Sequence, residues 1–273
     1  MSILTLFEEY NLLGDLMKKY GKYLIFSILV LLSFYTTNKT ASLVRDQDPI
    51  LKEIKTASIE RKTDYVNATV TDDYIIPGMY GSIIDELKSL SKMKEQDVFN
   101  SRYLVSKPIK PEVSLSNNLD KIIIQGNSKK QGVSLIADYK EEEIKDYLVK
   151  HNLKASLLIN KNDFSKDSYF EQINNDYDNY QELDKLLKKS KLNTNICLVN
   201  DNNSFLKLCQ KKKKYLVKPT LTLDESNIIA VKEKLTSGSI IYLKDITYLD
   251  CLLEYIKSKD LKIIYLNELI SEY

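Results

Sequence analysis

From Gly132 onward the chain alternates between short apolar runs and stretches whose apolar residues recur every three to four positions. The clearest run is Gly132-Val133-Ser134-Leu135-Ile136-Ala137-Asp138-Tyr139, which ends in a carboxylate just before a helical pattern begins. A buried parallel strand reads this way when its C-terminal end delivers a functional residue. The spacing next predicts a helix over 141–151, with Glu141, Glu142 and Glu143 in a first turn where acids suit the macrodipole. Its inward face is Ile144, Tyr147, Leu148 and His151. A strand over 155–160 and an Asp/Asn/Tyr-rich loop over 174–179 follow. The pattern then gives a helix over 180–189, a strand over 195–200, a helix over 203–212 and a strand over 215–218. A helix over 225–235 stops at Gly238 before a strand over 239–243. A helix over 247–257 and a strand over 261–266 lead to a last turn, 267–272. About six parallel strands with intervening helices make an α/β sheet or barrel, with any site at the strand C-terminal ends.

Upstream the pattern changes. Residues 1–22 place Ile3, Leu6, Phe7, Tyr10, Leu13, Leu16 and Met17 at helical spacing, an amphipathic segment suited to a membrane surface. Residues 23–38 form a run of 16 without charge. At 1.5 Å per residue that run reaches about 24 Å, a little short of the roughly 30 Å hydrocarbon core. Lys22 and Lys39 can snorkel, and Tyr20, Tyr23 and Tyr35 suit the two interfaces. The reading is an uncleaved single-pass anchor, since 36–42 offers no small-x-small cleavage site. Lys18, Lys19 and Lys22 favour a cytoplasmic N-terminus, although Lys39, Arg45, Lys52 and Lys55 weaken the asymmetry. Residues 39–63 read as a polar, helix-compatible stalk with a thin stripe of Ile50, Leu51, Ile54 and Ala57. Residues 64–129 mix β-like runs at 65–70 and 74–76, a helix over 83–94, a strand over 121–125 and turns at Pro77-Gly78, Tyr80-Gly81 and Gly126-Asn127. They form a small α+β preamble to a domain over 130–273.

Charge and composition then narrow the chemistry. A net charge of +2, from 40 basic and 38 acidic residues, gives no field of the kind that marks a nucleic-acid binder. The single histidine excludes any metal site that needs two imidazoles from this chain. Of the three cysteines, Cys197 and Cys209 could pair outside the cytoplasm, but buried free thiols are the default expectation.

Several segments resemble the polysaccharide deacetylase (NodB-homology) family. The resemblance covers about residue 120 to the end. It is carried by Lys130 to Asp138, by Ile144 to Ile159, by Lys218-Pro219 where that family has Arg-Pro-Pro, and by Gly238 to Asp245. The closing Leu261-Lys262-Ile263-Ile264-Tyr265-Leu266-Asn267-Glu268-Leu269 is similar to the family's final Gly-Tyr-x-x-x-x-Leu-x-Glu-Leu, with Leu261 in an aromatic position. The stretch from Tyr74 to Asn127 is similar to the segment before this domain in membrane-anchored Gram-positive members. The resemblance implies a distorted (β/α) barrel acting on N-acetylated envelope glycans with a divalent metal.

The catalytic positions depart from that pattern. The family's first motif is an Asp pair, but Tyr139 follows Asp138 here. Its second supplies two His ligands, and no His follows His151, which ends a helix on the opposite rim. Lys244 stands where the resemblance places a general-acid His. Amide hydrolysis by this route needs a cation to lower a bound water's pKa to about 7, and such an ion wants three protein ligands. The expectation is therefore a degenerate site of Asp138, Lys218, Lys244 and Asp245 with no metal, contacting an envelope glycan or anionic wall polymer outside the membrane. Two other readings stay open: an active deacetylase with atypical ligands, and a structural interaction protein of a membrane complex. Asp163, Asp167, Asp176 and Asp178 are taken as solvated loop acids, and Lys211–Lys214 as a solvated helix end.

Overall fold

The computed structural model describes residues 20–21, 23, 25–37, 39–40, 45–166, 169–192, 194–199 and 203–273. The expected 1–22 segment lies almost wholly outside them. The chain divides into two compact units, one holding Met1–Lys62 with Ile83–Lys107 and the other Thr63–Ser82 with Pro108–Tyr273.

In the first unit, residues 25–37 are helical (α1) and carry exposed Ile25, Phe26, Leu29, Leu31, Leu32, Phe34 and Tyr35. Among the described residues, no helix is long and apolar enough to cross a membrane. Helix α2 (Pro49–Arg61) starts with Pro at its first turn, and the Asp48 carboxylate accepts from the Ile50 N–H (2.9 Å). Its stripe of Ile50, Leu51 and Ile54 is buried with Ile84, Leu90 and Met93, the last two from α3 (Glu86–Met93). The thin apolar stripe is thus one side of a small core.

The second unit is a doubly layered α/β body. Its elements are β1 (Thr69–Val70), β2 (Tyr74–Ile76), β5 (Ile122–Ile123), β6 (Gly132–Asp138), α4 (Glu142–Lys150), β7 (Ser156–Ile159), β8 (Glu171–Asn174), α5 (Tyr180–Ser190) and β9 (Ile196–Leu198). There follow α6 (Asn203–Lys211), β10 (Tyr215–Val217), β11 (Leu221–Leu223), α7 (Ile228–Lys234), β12 (Ile240–Leu243), α8 (Leu249–Ser258), β13 (Lys262–Ile263) and α9 (Leu266–Ile270). Strands β3 (Gly81–Ile84) and β4 (Ser106–Ile109) make a separate two-stranded ribbon. The other strands form two sheets, ordered β1-β2-β5-β10-β9 and β11-β12-β6-β7-β8, and β13 pairs with the start of β6. Apart from β1, which is antiparallel to β2, every pairing in these sheets is parallel.

Side-chain parity assigns the two faces. Val133, Leu135 and Ala137 of β6, Leu157 and Ile159 of β7, and Ile241 and Leu243 of β12 pack under the helices with Ile144, Leu148, Leu183, Leu249 and Leu252. Ile136, Leu158, Ile173 and Ile240 face the other way. They meet Ile75, Ile123, Ile196, Leu198 and Val217 of the second sheet in one apolar interior. Strands buried on both faces are nearly continuous in apolar residues, which is why β6 and β12 are so legible.

Three details fix the frame. Cys197 of β9 and Cys209 of α6 form a disulfide with Cα atoms 6.2 Å apart, correcting the expectation of free thiols and tying the helix to its strand. Cys251 remains a free thiol. Gly238 adopts φ +90°, donates to Gly132 O (2.7 Å) and accepts from Gly126 N–H (2.8 Å); a Cβ there would lie 2.6 Å from Gly126 O. Only glycine meets both conditions.

Candidate functional site

The strand C-terminal ends present Asp138, Asn160, Asp224 and Lys244. Leu243 is in register with Ala137 and with Leu223, so one step further Lys244 stands between Asp138 of β6 and Asp224, the residue after β11. Parity puts Asp138 on the same face of β6 as Ile136, toward the apolar interior, and Lys244 on the same face as Tyr242. The loop after β6 is shaped by the acid itself: Asp138 Oδ1 accepts the Lys140 N–H (3.0 Å) and its carbonyl accepts the Glu141 N–H (3.2 Å). This is an Asx-type turn that launches α4. Tyr242 is half-buried; burial raises its phenol pKa, and the nearby charges of Asp138 and Glu141 raise it further.

Lys244 and Lys218 are both exposed. Among the described residues neither lysine forms an ion pair with Asp138, and none of the three has an ion pair at all. Lys244 does lower the pKa of Asp224, behind the larger effect of hydrogen bonds from the Ser226 N–H and Oγ. Lys218 follows β10 in the other sheet, where its N–H donates to Ile123 O (2.8 Å). By parity it shares the outward face with Leu216 rather than the interior face with Val217. Asp245 is spent on its own turn, accepting the Thr247 N–H (2.7 Å). Sequence therefore grouped four residues, and the strand register brings together two of them, Asp138 and Lys244.

The loop after β8 holds the other organised acid. Asp176 accepts from the Lys161 N–H (3.2 Å), the Asn179 N–H (3.0 Å) and Asn179 Nδ2 (3.2 Å). Burial raises its pKa, but these bonds outweigh that and hold it below the usual carboxylate range. Both of its oxygens are engaged in holding the loop. Asp163 and Asp178 do not join it in a cluster. Among the described residues no group of three or more His, Cys, Asp or Glu side chains could hold a metal ion. Asp167 lies outside the described residues. His151 caps the far end of α4, stacked on Tyr147 with ring centroids 4.2 Å apart.

No family model matches the chain, and no curated protein does. Solved structures do. A CE4 family pseudoenzyme from Bacillus anthracis aligns over 83% of this chain and 96% of its own, with 18% identity and a TM-score of 0.56. The fold is that of the CE4 proteins. A mutant of the same pseudoenzyme with restored enzymatic activity aligns over 81% of this chain and 98% of its own, again at 18% identity and a TM-score of 0.56. The CE4 fold accounts for the mixed α/β body with parallel sheets, as the family resemblance implied.

Sequence reasoning passed over three polar residues of this body. Asp224 and Tyr242 flank the mouth, and the half-buried Glu171 stands at the start of β8 with its carboxyl turned inward. Glu171 accepts from Ser156 Oγ, from the Leu266 N–H (3.0 Å) and from the Asn267 N–H (3.3 Å). Burial nevertheless pushes its carboxyl above the ordinary glutamate range. The β8 segment, Glu-Gln-Ile-Asn, has one apolar residue and no strand signal of its own.

Proposed function

We propose that this chain is a degenerate, membrane-anchored relative of the polysaccharide deacetylases that contacts envelope glycan without hydrolysing it. The observation that carries the reading is the charge order at the mouth: a lysine stands in register between Asp138 and Asp224. An ammonium in that place repels a divalent ion, and one interior-facing carboxylate cannot supply the three ligands such an ion wants. The residues there do not fit a metal, and no hydrolytic step is derived through one. What they can do is bind. At the mouth Asp138 accepts hydrogen bonds from sugar hydroxyls, Lys244 donates to hydroxyl, carboxylate or phosphate oxygens, and Asp245 shapes the turn beneath Lys244. Lys218, on the outward face of the other sheet, offers a second ammonium to a longer polymer.

Two features support an extracytoplasmic place for the domain. A buried disulfide belongs to an oxidising compartment. The apolar side chains of 25–37 are exposed around the helix, which suits a lipid environment better than water. The anchor would be residues 23–38, with the N-terminus cytoplasmic and the partner a cell-envelope glycan or anionic wall polymer; no nucleic acid is involved.

The test uses the full chain purified in detergent. Metal content, acetate release from chitin oligomers and retention on cell-wall polymer are measured together. We expect no stoichiometric metal, no acetate, and retention that falls when Lys218→Ala and Lys244→Ala are combined. Stoichiometric zinc or cobalt with acetate release would show an active deacetylase, and retention unchanged in the double variant would remove the mouth from binding.

A further inference from the structure

The N-terminal ends of β9 and β10 border a cavity of about 290 Å³ lined by Tyr80, Tyr215, Tyr273, Thr194, Asn195 and Asn267, among others. This is the rim opposite the mouth. Tyr80 and Tyr273 are stacked, with ring centroids 4.2 Å apart, and Tyr273 is 72% exposed, so its outer face is open to a ligand. Among the described residues the Tyr215 hydroxyl and the side-chain amides of Asn195 and Asn267 have no hydrogen-bond partner. Aromatic faces beside unpaired hydroxyl and amide groups are what a sugar ring needs: apolar C–H faces to stack and hydroxyls to bond.

The approaches to the cavity are cationic. Lys188, Lys189 and Lys191 end α5 just before Thr194, and Lys211, Lys212 and Lys213 end α6 just before Tyr215. Lys191 and Lys213 adopt φ of 63° and 54° at these helix ends, where glycine is the usual residue. Among the described residues Lys188 alone of these lysines forms an ion pair, with Asp184 (2.7 Å); Asp184 also pairs with the buried Lys214, whose Nζ donates to Thr194 O (2.8 Å). Lysines are favoured at helix C-termini on their own account. What that leaves unexplained is that both helix ends lead into the strands that border the aromatic cavity. The one acidic side chain among the described residues lining the cavity, Glu272, has its carboxylate turned to the Gly78 N–H (3.2 Å) and Leu115 N–H (3.0 Å). Its charge disfavours an anion inside, so the ring enters the cavity and the negative groups lie on the lysines.

We propose that this rim is a binding site for an anionic polysaccharide, one sugar ring seated among Tyr80, Tyr215 and Tyr273 and neighbouring carboxylates or phosphates held by the lysines of α5 and α6. The site is separate from the mouth and does not depend on it.

The probe is tetragalacturonate, titrated calorimetrically into the full chain in detergent, with chitotetraose and inorganic polyphosphate as comparisons. Tetragalacturonate is expected to bind, and Tyr273→Ala with Asn195→Ala to weaken it at least tenfold. Both positions are exposed, so the variant folds; its unchanged melting curve confirms that. Lys189→Ala with Lys212→Ala is expected to weaken binding and flatten its salt dependence. No binding at millimolar tetragalacturonate overturns the proposal. So does binding that Tyr273→Ala with Asn195→Ala does not alter, because polyphosphate would then serve as well and only a charge patch remains. Loss confined to the Lys218/Lys244 variant transfers the ligand to the mouth.

Discussion

Removing the Cys197–Cys209 bond should cost this protein a measurable and calculable part of its stability. The bond closes a loop with a sequence separation of 12. Chain-entropy arithmetic for a loop of that size gives about 3 kcal/mol at 25 °C, lost because the unfolded chain regains its freedom. For a body of this size each kcal/mol moves the midpoint by about 2–4 °C, so the expected fall is about 6–12 °C. Cys197 and Cys209 are both almost fully buried, against Tyr180, Phe205 and Leu216. Replacing both by alanine should therefore cost somewhat more than reduction alone, through lost sulfur packing. The assay is thermal unfolding followed by circular dichroism, with and without reductant, beside a thiol count in denaturant. One thiol, Cys251, is expected before reduction and three after. Three thiols before reduction, or a midpoint indifferent to reductant, would refute both the pairing and the compartment inferred from it.

Other perturbations test other parts of the frame. Glu171 has a folded-state pKa raised by burial, so the folded state holds its proton more tightly than the unfolded one. Its contribution to stability should fall as pH rises from the unfolded value of about 4.3 through the folded value, and stay level above it. Glu171→Gln should abolish that component, seen as a wild-type-minus-variant difference in urea midpoint that changes across the window; a constant difference would count against it. Gly238→Ala forces a Cβ to within 2.6 Å of Gly126 O at φ +90°, and should cost about 3 kcal/mol in urea unfolding. Asp176→Ala leaves the Lys161 and Asn179 N–H groups without their acceptor, so hydrogen exchange at those two amides should accelerate well before global stability changes.

How much of this was legible in the sequence follows from burial. The expected helices over 141–151, 180–189, 203–212 and 247–257 match α4, α5, α6 and α8 to within about two residues at each end, a normal fraying error. Strands β6, β7, β9, β10 and β12 were visible because both of their faces are apolar. Strand β8 was not, since Gln172 and Asn174 face the helical layer through side-chain bonds to Ser165 O and Tyr180 O instead of through apolar packing. Strand β11 is a Leu-Thr-Leu between Pro219 and Asp224, too short for any period to show. The start of the expected 83–94 helix is the end of strand β3, because Ser82, Ile83 and Ile84 precede the Asp85 cap that begins α3. At the mouth, a strand's terminal acid could be read off directly, but which side chain stands beside it is a matter of register between distant strands. That is why Asp224 was missed and why Lys218 was placed with Lys244 although it ends a strand of the other sheet.

The last elements of the chain do more than complete a sheet. Strand β13 pairs with Gly132 and Val133, Leu269 O accepts the Asn127 N–H (2.9 Å), and the Glu272 carboxylate ties Gly78 to Leu115. These ties reach across almost two hundred residues and add to the β2–β5 pairing and to the bond from Asn127 Nδ2 to Gly78 O (2.9 Å). A ribosome makes this stretch after the segments it ties, so these particular ties form last. A product cut short before β13 should accordingly be more protease-sensitive than the full chain.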